Sequence, residues 1–515
     1  MKYRFIAPLL LLSLASNSIF AQVPAQKNAT SAVAAKAAEK KQDYAVPFVN
    51  KTLPNGLEVI VLQDSSVPIV TVELAVRNGS FTEPPELHGL SHLYEHMFFK
   101  PNFAMMLRTC ESEQSTSRFS ASAAACSGVM NLKSRIGDIS YLKDANKVSI
   151  FNGTTREEIV NYYFTTTTPY LSTAIKYIND SVRFPRFDEQ EFEAEKRVVI
   201  GEIDRHEANP FGFLDLAMKQ RLFSKYPTRK DPQGTRESVG TATLDKMRTI
   251  QARYYVPNNA ALIVTGDARP DEVFRLAEQI MGGWEKRATD PFKEFPLVEH
   301  PPLEKSEGVI LEKNIEDDSN AAGEQNLFAM IGWHGPSIGK DDAATYAADV
   351  FSYIISQPDS RFQRNLVDSG LVSNVGFGYY TQRNVGPINL VLTTTPAKSK
   401  AALKAAYAEV AQFTDPAYFS DAELQNAKTI LETNDLFERE KLSEYAHTLG
   451  FWWSSTGIDY FRGYHAKLRA VTRDDINRYI KNYIHGKNHV AVALVSPEGK
   501  KQAGLTEQDL IGGAK

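Results

Sequence analysis

Apolar residues fall in short runs of β type at Leu57–Leu62 and Ile69–Val76, and again at Gly308–Leu311 and Leu327–Gly332. Each pair of runs leads into a stretch of helical period, then further strand-like runs, then longer helical stretches. The first series closes on a strand at Ala260–Thr265 and the second on a strand at His489–Val495. This order predicts two α+β units that repeat at the level of segments. Pro291, Pro296, Pro301 and Pro302 mark residues 286–305 as the linker between a first unit over 45–285 and a second over 306–505.

With 515 residues the chain is too long for one core, which agrees with two units. A net charge of −4 with mixed signs gives no basis for nucleic acid or an anionic membrane as partner. Lys2 and Arg4 precede an apolar stretch, Phe5 to Ala15, and Ala21 offers a small residue for cleavage. Residues 1–21 thus read as a secretory signal peptide, and the expected compartment is the periplasm. Residues 22–44, rich in Ala, Lys and Gln, read as a flexible segment, and no other stretch is long and apolar enough to span a membrane.

One motif carries chemistry. In His92-Leu93-Tyr94-Glu95-His96 two imidazoles stand at i and i+4 on one helical face, with a carboxylate just before the second. Such an H-x-x-E-H helix can hold a metal ion and place a general base beside it. A catalytic zinc site needs a third protein ligand and leaves the fourth place for water. Three candidates compete for that place. His88 precedes His92 by one turn but lies before Gly89, where the helix begins. The stretch Phe192 to Glu202 reads as an amphipathic helix with Glu195 and Glu202 two turns apart on one stripe. His206 continues that stripe. A charge-rich helix of this kind is also what a solvated face looks like.

The chain resembles the insulinase/pitrilysin family of zinc metallopeptidases, which includes mitochondrial processing peptidase. The matching stretches run in order: Leu53 to Val59; Gly79-Ser80 through Gly89 to Lys100; Asn152 to Thr155 with Asn161-Tyr162-Tyr163; Glu195 to Glu202; Tyr254 to Ala260; and Gly266-Asp267. The resemblance implies two homologous α/β-sandwich domains of the processing-peptidase type enclosing a chamber, with one zinc on the first. It implies that His92, His96 and Glu202 are the zinc ligands and Glu95 the general base, with Glu195 as an auxiliary carboxylate. Asn152 and Gly153 would lie on an edge strand that pairs with the backbone of a peptide substrate.

Two departures from the family pattern stand out. The stretch between His96 and Glu202 is longer than the family's, with the excess between Phe103 and about Lys147. It contains both cysteines, Cys110 and Cys126, which in an oxidising compartment would most simply form a disulfide worth about 3 kcal/mol for a loop of about fifteen residues. The family's Arg and Tyr, seven residues apart in the C-terminal half, are also missing. Leu366 or Val367 stands at the Arg position and Ser373 at or near the Tyr position, while Arg361, Arg364, Tyr379 and Tyr380 lack the spacing. A homologous partner subunit carrying that pair, in a heterodimer, is the leading explanation, with a homodimer as the other pairing. The alternative function is a catalytically silent, peptide-binding or scaffolding member of a complex.

Other features read as structural. Trp452-Trp453 and Tyr460-Phe461 fit core or interface packing. His334 reads as a strand-end residue, His447 and His465 as helical residues without a carboxylate at ligand spacing, and Gly499-Lys500 with the tail beyond as exposed.

Overall fold

A computed structural model describes residues 45–100, 102, 104, 148–225, 231–294, 296, 300–314 and 326–512. The leader, Cys110, Cys126 and nearly all of the insertion lie outside the described residues. The first half contains strands β1 (Val49–Thr52), β2 (Glu58–Gln63) and β3 (Ile69–Val76), then helix α1 (Leu90–Phe98) and strands β4 (Val148–Thr155) and β5 (Val160–Thr167). Helices α2 (Leu171–Arg183), α3 (Glu189–Ala208), α4 (Pro210–Leu222) and α5 (Leu244–Tyr254), strand β6 (Ala260–Gly266) and helix α6 (Pro270–Met281) complete it. A helical turn at Pro291–Glu294 lies in the connection to the second half.

That half runs β7 (Glu307–Glu312), β8 (Leu327–His334), α7 (Asp342–Ile355), β9 (Asn374–Tyr379) and β10 (Pro387–Thr394). It continues with α8 (Ser399–Gln412), α9 (Asp421–Arg439), α10 (Leu442–Ser455), α11 (Ile458–Ala470), α12 (Arg473–Tyr483) and β11 (Val490–Val495). The first sheet has the order β1-β2-β6-β3-β5-β4 and the second β7-β11-β8-β10-β9. Without β1 the two orders are the same, and so are the directions. The first strand of each repeat lies parallel to the last, and every other neighbour is antiparallel. The repeat anticipated from segment order is therefore a duplicated topology.

Both faces of the central strands are buried, which one unit alone could not achieve. On β3, Val70, Val72, Leu74 and Val76 face the helices of the first half. Ala75, with Ile60 and Leu62 of β2 and Ala261 and Ile263 of β6, joins the core of the second half. The element that covers this second face is α10, which packs across β3 and β6. In return α4 packs across β8 and β11, where Leu214, Met218 and Leu222 meet Phe328, Met330, Val492 and Leu494. Since α4 and α10 hold the same place in the two repeats, the halves exchange equivalent helices. The contact between them is a filled apolar layer, each fully buried Val, Leu or Ile being worth about 1.5–3 kcal/mol.

One ion pair lies in that layer. Glu73, fully buried on β3, accepts a short hydrogen bond from His447 Nδ1 on α10 and another from Asn161 Nδ2 at 2.8 Å. Burial disfavours the imidazolium, but the charge and hydrogen bond of Glu73 outweigh it and raise the pKa of His447 above its usual value. A raised folded-state pKa contributes stability that is complete below about pH 6.5 and lost as pH rises through the folded value. Urea unfolding of the wild type is therefore expected to show stability falling above that pH, with a shallower fall in Glu73→Gln. His447→Ala, which strands Glu73, is expected to cost about 3–5 kcal/mol at pH 6.

Two structural expectations change. His447 and His465 do have carboxylate partners, Glu73 and Asp435 (3.1 Å), each supplied by another element. The described tail is exposed only in part: Lys501, Gln502 and Gly504 face solvent, but Gly499, Leu505 and Leu510 are buried, and Tyr407 Oη donates to the Leu510 carbonyl at 2.5 Å. The aromatic pairs behave as expected. Trp453 is buried between the halves, its indole donating to Glu58 at 2.8 Å beneath the Arg77 guanidinium, and Phe461 is in the core.

Candidate active site

The motif helix starts where the backbone allows it. Gly89, at the N-cap of α1, has φ 79°, a left-handed value that favours glycine. Its Cα packs so close to Gly234 that a β-carbon would meet that backbone at 2.5 Å. With no cap side chain at that position, the buried Glu83 takes the role and accepts N–H bonds from Gly89 (2.8 Å) and Ser91 (2.6 Å). The facing helix α3 is capped by Asp188, which accepts from Gln190 and Glu191.

These two starts bring two rows of side chains together. On α1 the row is His92 and His96, continued four residues on by Lys100 just past the helix end; on α3 it is Glu195 and Glu202, seven apart. Glu202 Oε2 lies 3.6 Å from His92 Nε2 and 3.5 Å from His96 Nε2, with the imidazole planes at 86°. Both separations are close to the edge, roughly 3.3–3.4 Å, of a tetrahedron about an ion with bonds of roughly 2.0–2.1 Å, the zinc range, and the three donor atoms all lie within 4.8 Å of one another. Among the described residues this is the one set of three metal-binding side chains that converges. Burial, reinforced by the His96 charge, holds the His92 pKa down at about 4, so its ring stays neutral with a lone pair free. Burial opposes ionisation of Glu202, but the hydrogen bond and charge of His96 win and keep its pKa low.

Glu195 sits behind His96. Its Oε2 accepts from His96 Nδ1 at 2.9 Å and its Oε1 from Lys100 Nζ at 2.5 Å. Burial again opposes the charge, yet these two partners bring the carboxyl down to about 2. Such a carboxylate fixes the tautomer of a ligating imidazole.

Glu95 has a different environment. It is buried, its Oε2 accepts from Thr155 Oγ1 at 3.0 Å, and burial pushes its pKa up to about 7 against the pull of His96 and Thr155. A group poised there can take a proton and return it at neutral pH. Oε1 lies over Gly153 of β4, where a β-carbon would come within 2.6 Å of it and within 2.8 Å of Cγ. Gly153→Ala is therefore expected to displace Glu95 and lower kcat at least tenfold while metal content stays at the wild-type level. Parallel metal analysis and steady-state rates check this, and an unchanged rate would refute the close contact.

Asn152 and Gly153 pair with Tyr163 and Tyr162 on β5, and Asn152 is exposed. Strand β4 is an edge: among the described residues nothing pairs with its far side. The other third-ligand candidates are engaged elsewhere. His88 Nε2 contacts the Asp231 carbonyl at 3.1 Å, and His206 Nδ1 pairs with the Asp231 carboxylate at 3.0 Å. Leu366 is in the core and Ser373 Oγ donates to the Thr393 carbonyl. Arg361 pairs with Glu409, Arg364 donates to the Asp359 carbonyl, Tyr379 donates to the Pro336 carbonyl and Tyr380 to Glu157. His334 contacts the Leu222 carbonyl at 2.6 Å. Sequence reasoning assigned no role to Glu83 or Thr155, although both fall within the matching stretches, because their partners Gly89, Ser91 and Glu95 are set by the fold. It also passed over Lys100, whose four-residue step from His96 was a readable signal.

Comparison with known proteins bears on the family and the fold. The sequence model described as insulinase (peptidase family M16) matches residues 58–122 and 140–231, and that of the peptidase M16 inactive domain matches 241–431. The zinc protease PqqE of Helicobacter pylori is 21% identical over 88% of this chain and 94% of its own length. A probable mitochondrial-processing peptidase subunit beta of Arabidopsis thaliana is 22% identical over 87% and 78%. A protease from Helicobacter pylori superposes with TM-score 0.71 at 19% identity, covering 87% of this chain and 99% of that one. The periplasmic protease PqqL from Escherichia coli gives 0.65 at 15% identity over 91% of this chain and 50% of that one. Fold, duplicated topology and matched motifs together assign the chain to the insulinase family of peptidases, family M16.

Proposed function

We propose that the chain is a zinc-dependent endopeptidase acting on peptides or unfolded segments. The observation that carries this reading is the convergence of His92 Nε2, His96 Nε2 and Glu202 Oε2 beside a buried carboxylate titrating near neutrality. These three residues would hold zinc, which supplies Lewis acidity toward water and toward a peptide carbonyl. Glu95, held through Oε2 by Thr155, accepts the water proton and delivers it to the departing amine. Glu195 keeps His96 in register, and the free side of β4 at Asn152 and Gly153 pairs with an extended substrate.

The absent Arg/Tyr pair supports a homologous partner subunit, in a heterodimer or a homodimer, that completes the substrate site and the enclosure over it. Leu366 is fully buried in the core and offers no side chain to a substrate. The leader pattern supports export to the periplasm, and no helix among the described residues is long and apolar enough to cross a membrane.

The test is hydrolysis of an unstructured peptide library by the purified mature chain, with and without a chelator and zinc add-back. Cleavage that the chelator abolishes and zinc restores is the expected result. A zinc-loaded chain that cleaves nothing, alone or with a homologous subunit from the same genome, would instead favour the silent scaffold.

A further inference from the structure

Lys100 extends the row of His92 and His96 by one more turn, although α1 itself ends at Phe98. Its ammonium does not trail into solvent. It reaches Glu195 Oε1 at 2.5 Å, on the carboxylate whose Oε2 accepts from His96 Nδ1 at 2.9 Å. Lys100 is about one-third exposed and Glu195 only 13%. One carboxylate thus bridges two residues of one row, and each oxygen has its own partner. With Lys100 in place the carboxylate plane is pinned at both ends. Without it, Glu195 keeps one hydrogen bond and can turn about its side-chain torsions.

We infer that Lys100 is a positioning residue for the metal site: it fixes the Glu195 carboxylate, which in turn fixes the tautomer and tilt of His96, so that Nε2 faces Glu202. The inference rests on the zinc reading above. The physical basis is that groups behind a ligating imidazole, though they never touch the ion, are worth about 10–100-fold in metal affinity. An ordinary exposed Lys–Glu pair would contribute to stability alone, by a small amount. Charge is not the whole requirement, since the contact is one ammonium to one oxygen. The guanidinium introduced by K100R, on its longer fork, can still donate to Oε1, whereas the thioether introduced by K100M has a similar reach and no donor.

The experiment is zinc affinity, measured by competition with a chromophoric chelator, for the wild type, K100M, K100R, E195Q and the double variant K100M/E195Q. The visible spectrum of each cobalt-loaded protein is recorded alongside. K100M is expected to weaken zinc binding about 10–100-fold and alter the cobalt bands, K100R to stay within about threefold of wild type, and the double variant to be no weaker than E195Q. K100M binding zinc as tightly as wild type, or adding its full effect to that of E195Q, overturns the inference and leaves the zinc reading intact. A wild type that binds no zinc overturns both. Urea unfolding of K100M identifies loss of fold, and in that event K100Q and the rescue by K100R decide.

Discussion

Glu95→Gln is expected to leave the protein folded and zinc-loaded while lowering kcat by about a thousandfold. The amide has the size of the carboxyl, and its oxygen can still accept the Thr155 hydroxyl, so the packing over Gly153 survives. What is lost is the ability to take a proton, for which general base catalysis is worth about 10²–10⁴-fold. Burial raises the wild-type carboxyl to about 7, close to the value at which proton uptake and return balance. The check is a rate on a cleavable peptide together with the metal content of the same preparation. A variant that keeps more than a tenth of the rate would remove Glu95 from the proposed chemistry. One that has lost its metal would show that Glu95 belongs to the ligand set.

Glu202→Gln is expected to empty the site. Glu202 Oε2 is the only anionic atom that approaches both imidazole Nε2 atoms among the described residues. Its replacement by a neutral amide should weaken zinc binding by more than the ~10–100-fold typical of a supporting group, and abolish cleavage in step. Glu195→Gln should fall inside that smaller range, because Glu195 touches His96 on the far nitrogen. Equilibrium dialysis of both variants gives the order. If Glu195→Gln lost more metal than Glu202→Gln, the two carboxylates would have to exchange roles.

Much of this site was legible before any coordinates. Spacings of four and seven residues pair His92 with His96 and Glu195 with Glu202, each on one helical stripe, and it was the family resemblance that implied the two pairs meet. The choice among His88, Glu202 and His206 could not be read from spacing, because it depends on how two helices cross. His206 is on the right stripe yet turns to Asp231, which lies beyond α4 in the chain. Glycines were the least legible. Gly153 was read for its place on an edge strand, whereas its missing side chain also makes room for Glu95, 58 residues earlier in sequence. The apolar runs that became β2, β3 and β6 were readable as strands, but nothing in them says that a different half covers each face. The partners of His447 and His465 escaped notice for the same reason, since Glu73 is 374 positions away from His447.

The exchange of α4 and α10 bears on how the molecule could ever be divided. The proline-bearing connection around Pro291–Glu294 invites a cut, and a fragment ending there would still carry every candidate ligand. It would also carry a bare sheet face, with Ile60, Leu62, Ala75, Ala261 and Ile263 open to water, Glu73 without its imidazole, and α4 with nothing to cover. Such a fragment has the chemistry and lacks the means to stay folded. Genetic fission at that seam should therefore yield two insoluble pieces that recover only when expressed together, so selection acts on the duplicated chain as one indivisible unit.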